Sequence, residues 1–254
     1  MLNVRRFVVV VSVVSAVFGT LASSAFSAVV VLTPPTPVAD ALVMSNNPTT
    51  NYGGLGALSV AASGLAKGEF QTVMRFDGSA VKAASDAAYG IGQWTVQSVT
   101  LKLTSASPGN NALFNSSSAG QFYLDWMAED SWVEGDTKSE TPSTSITFDS
   151  LATLRSASDQ LLGTFSYGGA TSGATTYTLG LGSSFVADLL GGNQVSFRLY
   201  AADTNVSYLF NSRNNNTTEN RPVLTVTTVP EPAMLSMLGA MGLWLLRRGR
   251  MHKK

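Results

Sequence analysis

Cysteine is absent from all 254 residues, and histidine occurs once, as His252 in the basic tail. No disulfide can brace the chain, and cysteine nucleophiles and thiolate metal sites are excluded. A single terminal histidine likewise excludes multi-histidine zinc sites and any triad with a histidine base. Charge is scarce as well: 13% of residues are charged and the formal net charge is zero. With no basic block before the last few residues, this argues against nucleic acid as a partner. What remains is a chain with 23 Gly, 9 Pro and many Ser, Thr and Asn, whose 44% hydrophobic content is densest in its two end segments. The middle is polar, turn-rich and lightly charged, a composition common in secreted β-proteins, and long enough for one sizeable domain.

The ends read as addresses. Arg5 and Arg6 precede an apolar stretch at 7–21, and small residues follow it. This is the layout of a secretory signal peptide, with cleavage after Ala25 or Ser27. Residues 1–27 are therefore expected to be a signal peptide, since the apolar stretch is short of the roughly 20 residues of a full span. Near the other end, Pro230 and Pro232 hold Glu231 in an extended segment. Residues 233–246 are apolar or small, and Arg247, Arg248, Arg250, Lys253 and Lys254 follow. Such a basic cluster stays on the cytoplasmic side, which leaves the domain before Pro230 outside. As a helix the run is roughly 21 Å long, against a hydrocarbon core of about 30 Å. That length suits a temporary, processed anchor better than a permanent one.

Between the ends, short β-type runs are separated by Gly, Asn, Ser and Pro. They fall at 41–44, 55–62, 70–76, 94–103, 121–128, 145–148, 161–167, 175–181, 194–200, 208–212 and 222–228. Val99, Leu101 and Leu103 alternate with Thr100 and Lys102, and Val195, Phe197 and Leu199 alternate with Ser196 and Arg198. Period two with one apolar face predicts strands half covered by a core. One helix is expected, in SSFVADLLGG, capped by Ser183 or Ser184 and ended by Gly191. The expected fold is all-β, an antiparallel β-sandwich or jelly roll with one short helix. It occupies residues 40–228, after a linker or edge strand at 28–39 and before a sorting segment at 229–254.

Two resemblances add to this. Pro230-Glu231-Pro232, the apolar run at 233–246 and the Arg247-Arg248 cluster resemble the PEP-CTERM sorting signal of exopolysaccharide-producing Gram-negative bacteria. The resemblance implies recognition of Pro230, Glu231 and Pro232 by a membrane-embedded exosortase, with Arg247 and Arg248 as the stop signal. Separately, the segments at 39–60, 72–77, 96–103, 130–135 and 208–226 resemble, in order, the motifs of DNRLRE-type domains. These are secreted jelly-roll modules related to carbohydrate-binding modules. The chain departs from that family in having Asn214 after Ser-Arg and Phe148 where tryptophan is common.

Candidate chemistry sits in two clusters. Glu129, Asp130, Glu134 and Asp136 flank Trp132, and they read either as calcium ligands or as a carboxylate pair of the glycoside-hydrolase kind. The structural alternative is a solvated loop whose Trp132 plugs the sandwich edge. Calcium is the only cofactor the sequence suggests. The asparagine-rich loop offers Asn211, Arg213, Asn215, Asn216, Glu219 and Arg221 as a sugar-contacting surface. The arginines could fork onto uronic acids or pair with Glu219 or Asp203. Asn also simply tolerates long turns. Tyr52, Trp94, Tyr123, Trp126, Trp132, Tyr167 and Tyr208 are the aromatics available for stacking on sugar rings.

The resulting expectation is a non-catalytic protein of the cell envelope or extracellular matrix that associates with exopolysaccharide. Its partners would be an exosortase and, through the C-terminal helix before processing, the membrane. The alternatives are a polysaccharide hydrolase or lyase, and a purely structural or adhesive surface protein.

Overall fold

The computed structural model describes residues 28–31, 36–106, 119–135 and 145–231. The signal-peptide segment, Asp136, Pro232, Arg247, Arg248 and the apolar run at 233–246 lie outside the described residues. Among the described residues, no helix is long and apolar enough to cross a membrane.

The chain is mostly β, with eleven strands and three α-helices among the described residues. One sheet has the order β1-β11-β5-β8, formed by β1 (Ala28–Val31), β11 (Val223–Pro230), β5 (Trp94–Thr104) and β8 (Ala174–Leu179). The other runs β10-β3-β4-β9-β6-β7, formed by β10 (Ser207–Asn211), β3 (Ala57–Ala61), β4 (Phe70–Asp77), β9 (Gln194–Ala201), β6 (Gly120–Met127) and β7 (Gln160–Tyr167). The remaining strand, β2 (Ala39–Met44), pairs with β4. Every pairing between these strands is antiparallel.

The alternation read from the sequence is what closes the sandwich. Val99, Leu101 and Leu103 of β5 are fully buried, as are Val195, Phe197 and Leu199 of β9. These two apolar faces meet in one core that also takes Leu224 and Val226 of β11 and Phe122 and Leu124 of β6. Aromatic rings line this core: Phe122 of the larger sheet meets Tyr177 of the smaller edge-on at 5.3 Å, and Tyr167 and Tyr208, from the two edge strands of the larger sheet, stack at 4.0 Å. Each such side chain contributes about 1.5–3 kcal/mol by leaving water, which is how a chain without disulfides holds together.

Two kinds of sequence expectation need correction, the first being which segments are helix or strand. The expected single helix is present as α3 (Ser183–Gly191), though Gly182 rather than Ser183 or Ser184 stands at its N-cap and Gly192, at φ +71°, rather than Gly191 ends it, and α1 (Ser79–Tyr89) and α2 (Phe148–Leu154) are helices too. α1 is rich in Ala and Ser and buries only Val81 and Ser85 outright, so its apolar stripe is too thin to show in the sequence. The run at 145–148, expected as a strand, makes only an isolated bridge between Ser145 and Val133 before α2 begins. Thr147 ends it by capping that helix: its Oγ1 accepts from the Ser150 N–H at 3.1 Å, and Ser150 Oγ accepts from the Thr147 N–H at 2.8 Å. This reciprocal pair satisfies donors that a helix start leaves free.

The second correction concerns the half-covered strands. Ser196 and Arg198, on the outer face of β9, are also buried. Trp132, Ile146 and Leu151 pack over that outer face together with Ala41, Val43, Val73 and Met127, as a second apolar cluster. The larger sheet is therefore covered on both sides at its centre.

Candidate functional site

The asparagine-rich loop after β10 forms one wall of an open cleft of about 650 Å³. Asn214, Asn215, Asn216, Thr217 and Asn220 face Thr104 and Ser105 at the end of β5, and Thr171, Ser172 and Gly173 before β8. Leu55, Ala57, Ala106 and Leu209 supply apolar floor. Strand alternation positions this surface: Leu209 and Asn211 line the cleft, while Tyr208 and Phe210 of the same strand are buried in the core. No residue lining the cleft, among the described residues, carries a carboxylate, an imidazole or an aromatic ring. Its polar groups are amides, hydroxyls and backbone, all neutral at any physiological pH.

The asparagines are not equivalent. Asn211 is buried, and its Nδ2 donates to the Thr104 carbonyl at 3.1 Å, tying β10 to β5. Its Oδ1 accepts from Asn215 Nδ2 at 2.8 Å, and Asn215 Oδ1 accepts from the Thr217 N–H at 2.9 Å. These two side chains hold the loop in shape. Asn216 is exposed and lines the cleft. Thr104, also on the cleft wall, carries a buried Oγ1 with no hydrogen-bond partner among the described residues.

The two arginines hold the loop from both ends. Arg213 Nε donates to Glu134 Oε1 at 3.0 Å, so its partner is Glu134 rather than Glu219 or Asp203. Arg221 Nε donates to the Asn215 carbonyl at 2.9 Å. The Glu219 carboxylate is on an exposed turn, where Lys102 Nζ reaches its backbone carbonyl at 2.9 Å. Asp203 accepts the backbone N–H groups of Gln121, Asn205 and Val206, which hold its carboxyl below the ordinary range.

Behind the loop lies a polar network that the sequence did not announce. Asn214 Nδ2 donates to the Gly53 carbonyl at 3.0 Å and to Glu134 Oε1 at 3.2 Å. Asn51, wholly buried, donates to the carbonyls of Glu134 and Ile146 at 2.7 and 2.8 Å. The approach is close enough that a Cβ on Gly53 would stand 1.9 Å from the Glu134 carbonyl oxygen, so only glycine fits. Asp40 accepts the Arg213 N–H at 2.7 Å through Oδ2, while its Oδ1 is buried without a partner. Burial pushes the Asp40 carboxyl up to about 8, against the pull of Arg213. Asn51 and Asp40 gave no signal in the sequence, because a lone Asn in a polar stretch looks like a turn residue and a lone Asp beside the apolar run at 41–44 looks like a strand end.

The acidic candidates do not converge. Glu129 accepts the Ser131 N–H at 2.9 Å, and bonds from Ser131 hold its carboxyl below the usual range. Desolvation raises Asp130, and Glu134 is engaged by Arg213. None of the three lines the cleft, and no group of three or more Asp, Glu, His or Cys among the described residues is arranged to hold a metal ion. Trp132 is buried; its Nε1 donates to Ser196 Oγ at 3.0 Å, and Arg75 lies 4.8 Å over its ring. Arg75 in turn donates to the Asp130 and Trp132 carbonyls at 2.5 and 2.7 Å, fixing the segment that carries them.

Of the candidate stacking aromatics, Tyr52, Trp94, Trp126, Trp132, Tyr167 and Tyr208 are buried. Tyr123 is half-buried on the larger sheet, 5.1 Å from the Tyr200 ring. Beside it, the Arg198 guanidinium sits 3.8 Å from the Tyr200 ring centre and 3.7 Å from Asp125. Burial raises Asp125 despite hydrogen bonding from Tyr200 and the charge of Arg198.

The fold and cleft define a β-sandwich protein with a neutral polar groove at one end. No protein-family model matches the chain, and no curated protein matches it significantly.

Proposed function

We propose that this is an exported, non-catalytic carbohydrate-binding protein of the cell envelope or matrix, whose cleft takes a neutral segment of exopolysaccharide. The observation that carries the reading is the neutral amide-and-hydroxyl lining of a cleft of about 650 Å³, a volume within the range of small-molecule sites. Sugar hydroxyls both donate and accept, and so do amides and hydroxyls. A lining without carboxylates offers no general acid or base, which favours binding over hydrolysis. It also offers no cation, since Arg213 and Arg221 are engaged elsewhere, so neutral polymers are preferred over uronic acids. The sorting part of the proposal rests on the tail: a PEP-CTERM signal, with Pro230, Glu231 and Pro232 read by an exosortase. The resemblance of the ordered motifs to DNRLRE-type jelly rolls supports the binding role.

The test is a glycan-binding screen with neutral and acidic exopolysaccharides, run with and without calcium. Calcium-independent binding to a neutral polymer is expected. Asn216→Ala should weaken that binding about tenfold at unchanged melting temperature, as loss of one or two hydrogen bonds does. Asn211→Ala should instead lower the melting temperature. Absence of binding by the folded protein would sink this reading in favour of a structural or adhesive role. Depolymerisation abolished by Asp130→Asn would establish an enzyme.

A further inference from the structure

The sandwich has two poles, set by the direction of β5. Thr104, at its C-terminal end, lines the cleft; Trp94, at its N-terminal end, pairs with Pro230 as β11 finishes. The two are the first and last residues of an eleven-residue strand, ten steps apart, or about 33 Å at 3.3 Å per residue. The chain therefore leaves the described domain at the pole opposite the cleft. It leaves held: the Glu231 N–H donates to the Gln93 carbonyl at 3.0 Å.

That pole carries the most exposed large apolar side chain among the described residues. Ile91, 82% exposed, stands at the tip of a turn between Gly90 and Gly92, whose φ values are +96° and +67°. It borders a small hollow of about 220 Å³ shared with Glu231, Trp94, Lys82, Asp86 and Leu190. Leu190, at the end of α3, is also exposed. Lys82 pairs with Asp86, and Trp94 Nε1 donates to the same carboxylate at 2.7 Å, so that charge is compensated. Ile91 and Leu190 thus place two exposed apolar side chains beside the point where the chain leaves the domain.

We propose that this pole, with Ile91 at its tip, is a bilayer-docking surface that seats the domain on the lipid interface with its cleft turned outward. The proposal rests on the reading of the tail as a membrane-inserted sorting helix. Only Pro232 separates Glu231 from the apolar run that starts at Ala233. Two chain steps reach about 7 Å at most, so insertion of the run brings the Glu231 pole to the headgroup layer. A held Glu231 then leaves little freedom to swing away, and the exposed Ile91 and Leu190 enter the headgroup–acyl boundary as interfacial apolar residues do. The cleft, about 33 Å away along β5, faces the matrix. A sorting protease would meet its Pro-Glu-Pro target presented at the membrane surface in a fixed orientation.

The absence of cysteine makes the test direct. Full-length protein carrying one cysteine, at Ile91→Cys, Ser236→Cys or Asn216→Cys, is labelled with an environment-sensitive fluorophore. Each is reconstituted into phosphatidylethanolamine–phosphatidylglycerol vesicles containing shallow nitroxide-labelled lipid. Docking predicts a blue shift and lipid quenching at both 236 and 91, and neither at 216. A quenched 236 with 91 still in water overturns the docking and leaves the tail reading intact. If 236 itself stays unquenched, the tail reading fails and the docking falls with it. A label at 91 that is shielded from water but not quenched by lipid would mean that protein covers Ile91, which also overturns the proposal. As a second readout, Ile91→Asp with the label moved to Ala88→Cys should lose whatever shift Ala88→Cys alone shows; an unchanged shift counts against docking through Ile91.

Discussion

Asp40 is buried beside Arg213 with one oxygen unpartnered, and its carboxyl is pushed up to about 8 from an ordinary value of 3.8. An acid raised in this way keeps its proton in the folded chain at pH values where the unfolded chain has lost it. Its contribution is most favourable below about pH 4 and is lost progressively up to about pH 8, on the order of 1 kcal/mol per unit across that window. The charges that face it are Glu134, which raises it further, and Arg213 and Arg221, which lower it. Asp40→Asn keeps an oxygen for the Arg213 N–H and removes the titration. We therefore expect urea-unfolding free energies of the variant to fall less steeply between pH 5 and pH 8 than those of the parent. Identical slopes would show that Asp40 titrates normally. At this scale the sequence was a poor guide. Asn211, Asn215 and Asn216 look alike in the chain, yet two of them brace the loop and one faces solvent, because a neighbour's carbonyl or amide decides which groups are free.

The elements were more legible than the residues. Strands whose apolar residues alternate, such as β5 and β9, lie where the period places them, since the pleat sends successive side chains to opposite faces. The segment over the outer face of the larger sheet was not legible. Its Ile146 reads as strand, but Thr147 caps α2 two residues before Asp149, and packing onto β2, β4 and β6 fixes the rest. Two substitutions separate these contributions. Thr147→Ala should cost about 1 kcal/mol through the lost cap. Trp132→Ala should cost about 3–5 kcal/mol by opening the covered face and freeing Ser196 and Arg75 from their partner. Equilibrium denaturation measures both. Equal small costs would mean that this segment is a loosely attached flap rather than part of the core.

For the whole molecule, the placement of the cleft and the chain exit at opposite ends of β5 is the main consequence of the topology. Sites so far apart with no shared partners are expected to act additively. Ile91→Ser should accordingly leave glycan affinity unchanged while reducing lipid quenching of a label at Ala88→Cys in the full chain, and a loss of glycan binding would contradict that independence. By itself, the sequence determined the chemistry that is excluded, the antiparallel β class and where most strands lie along the chain, because residue type and period are local properties. Only the tertiary structure decided that Arg213 pairs with Glu134, that Glu129, Asp130 and Glu134 stay apart, and that the loops at 171–173 and 214–217 make one cleft. Those outcomes depend on which strand ends lie side by side, and strand order across a sheet is a long-range matter that no local pattern encodes.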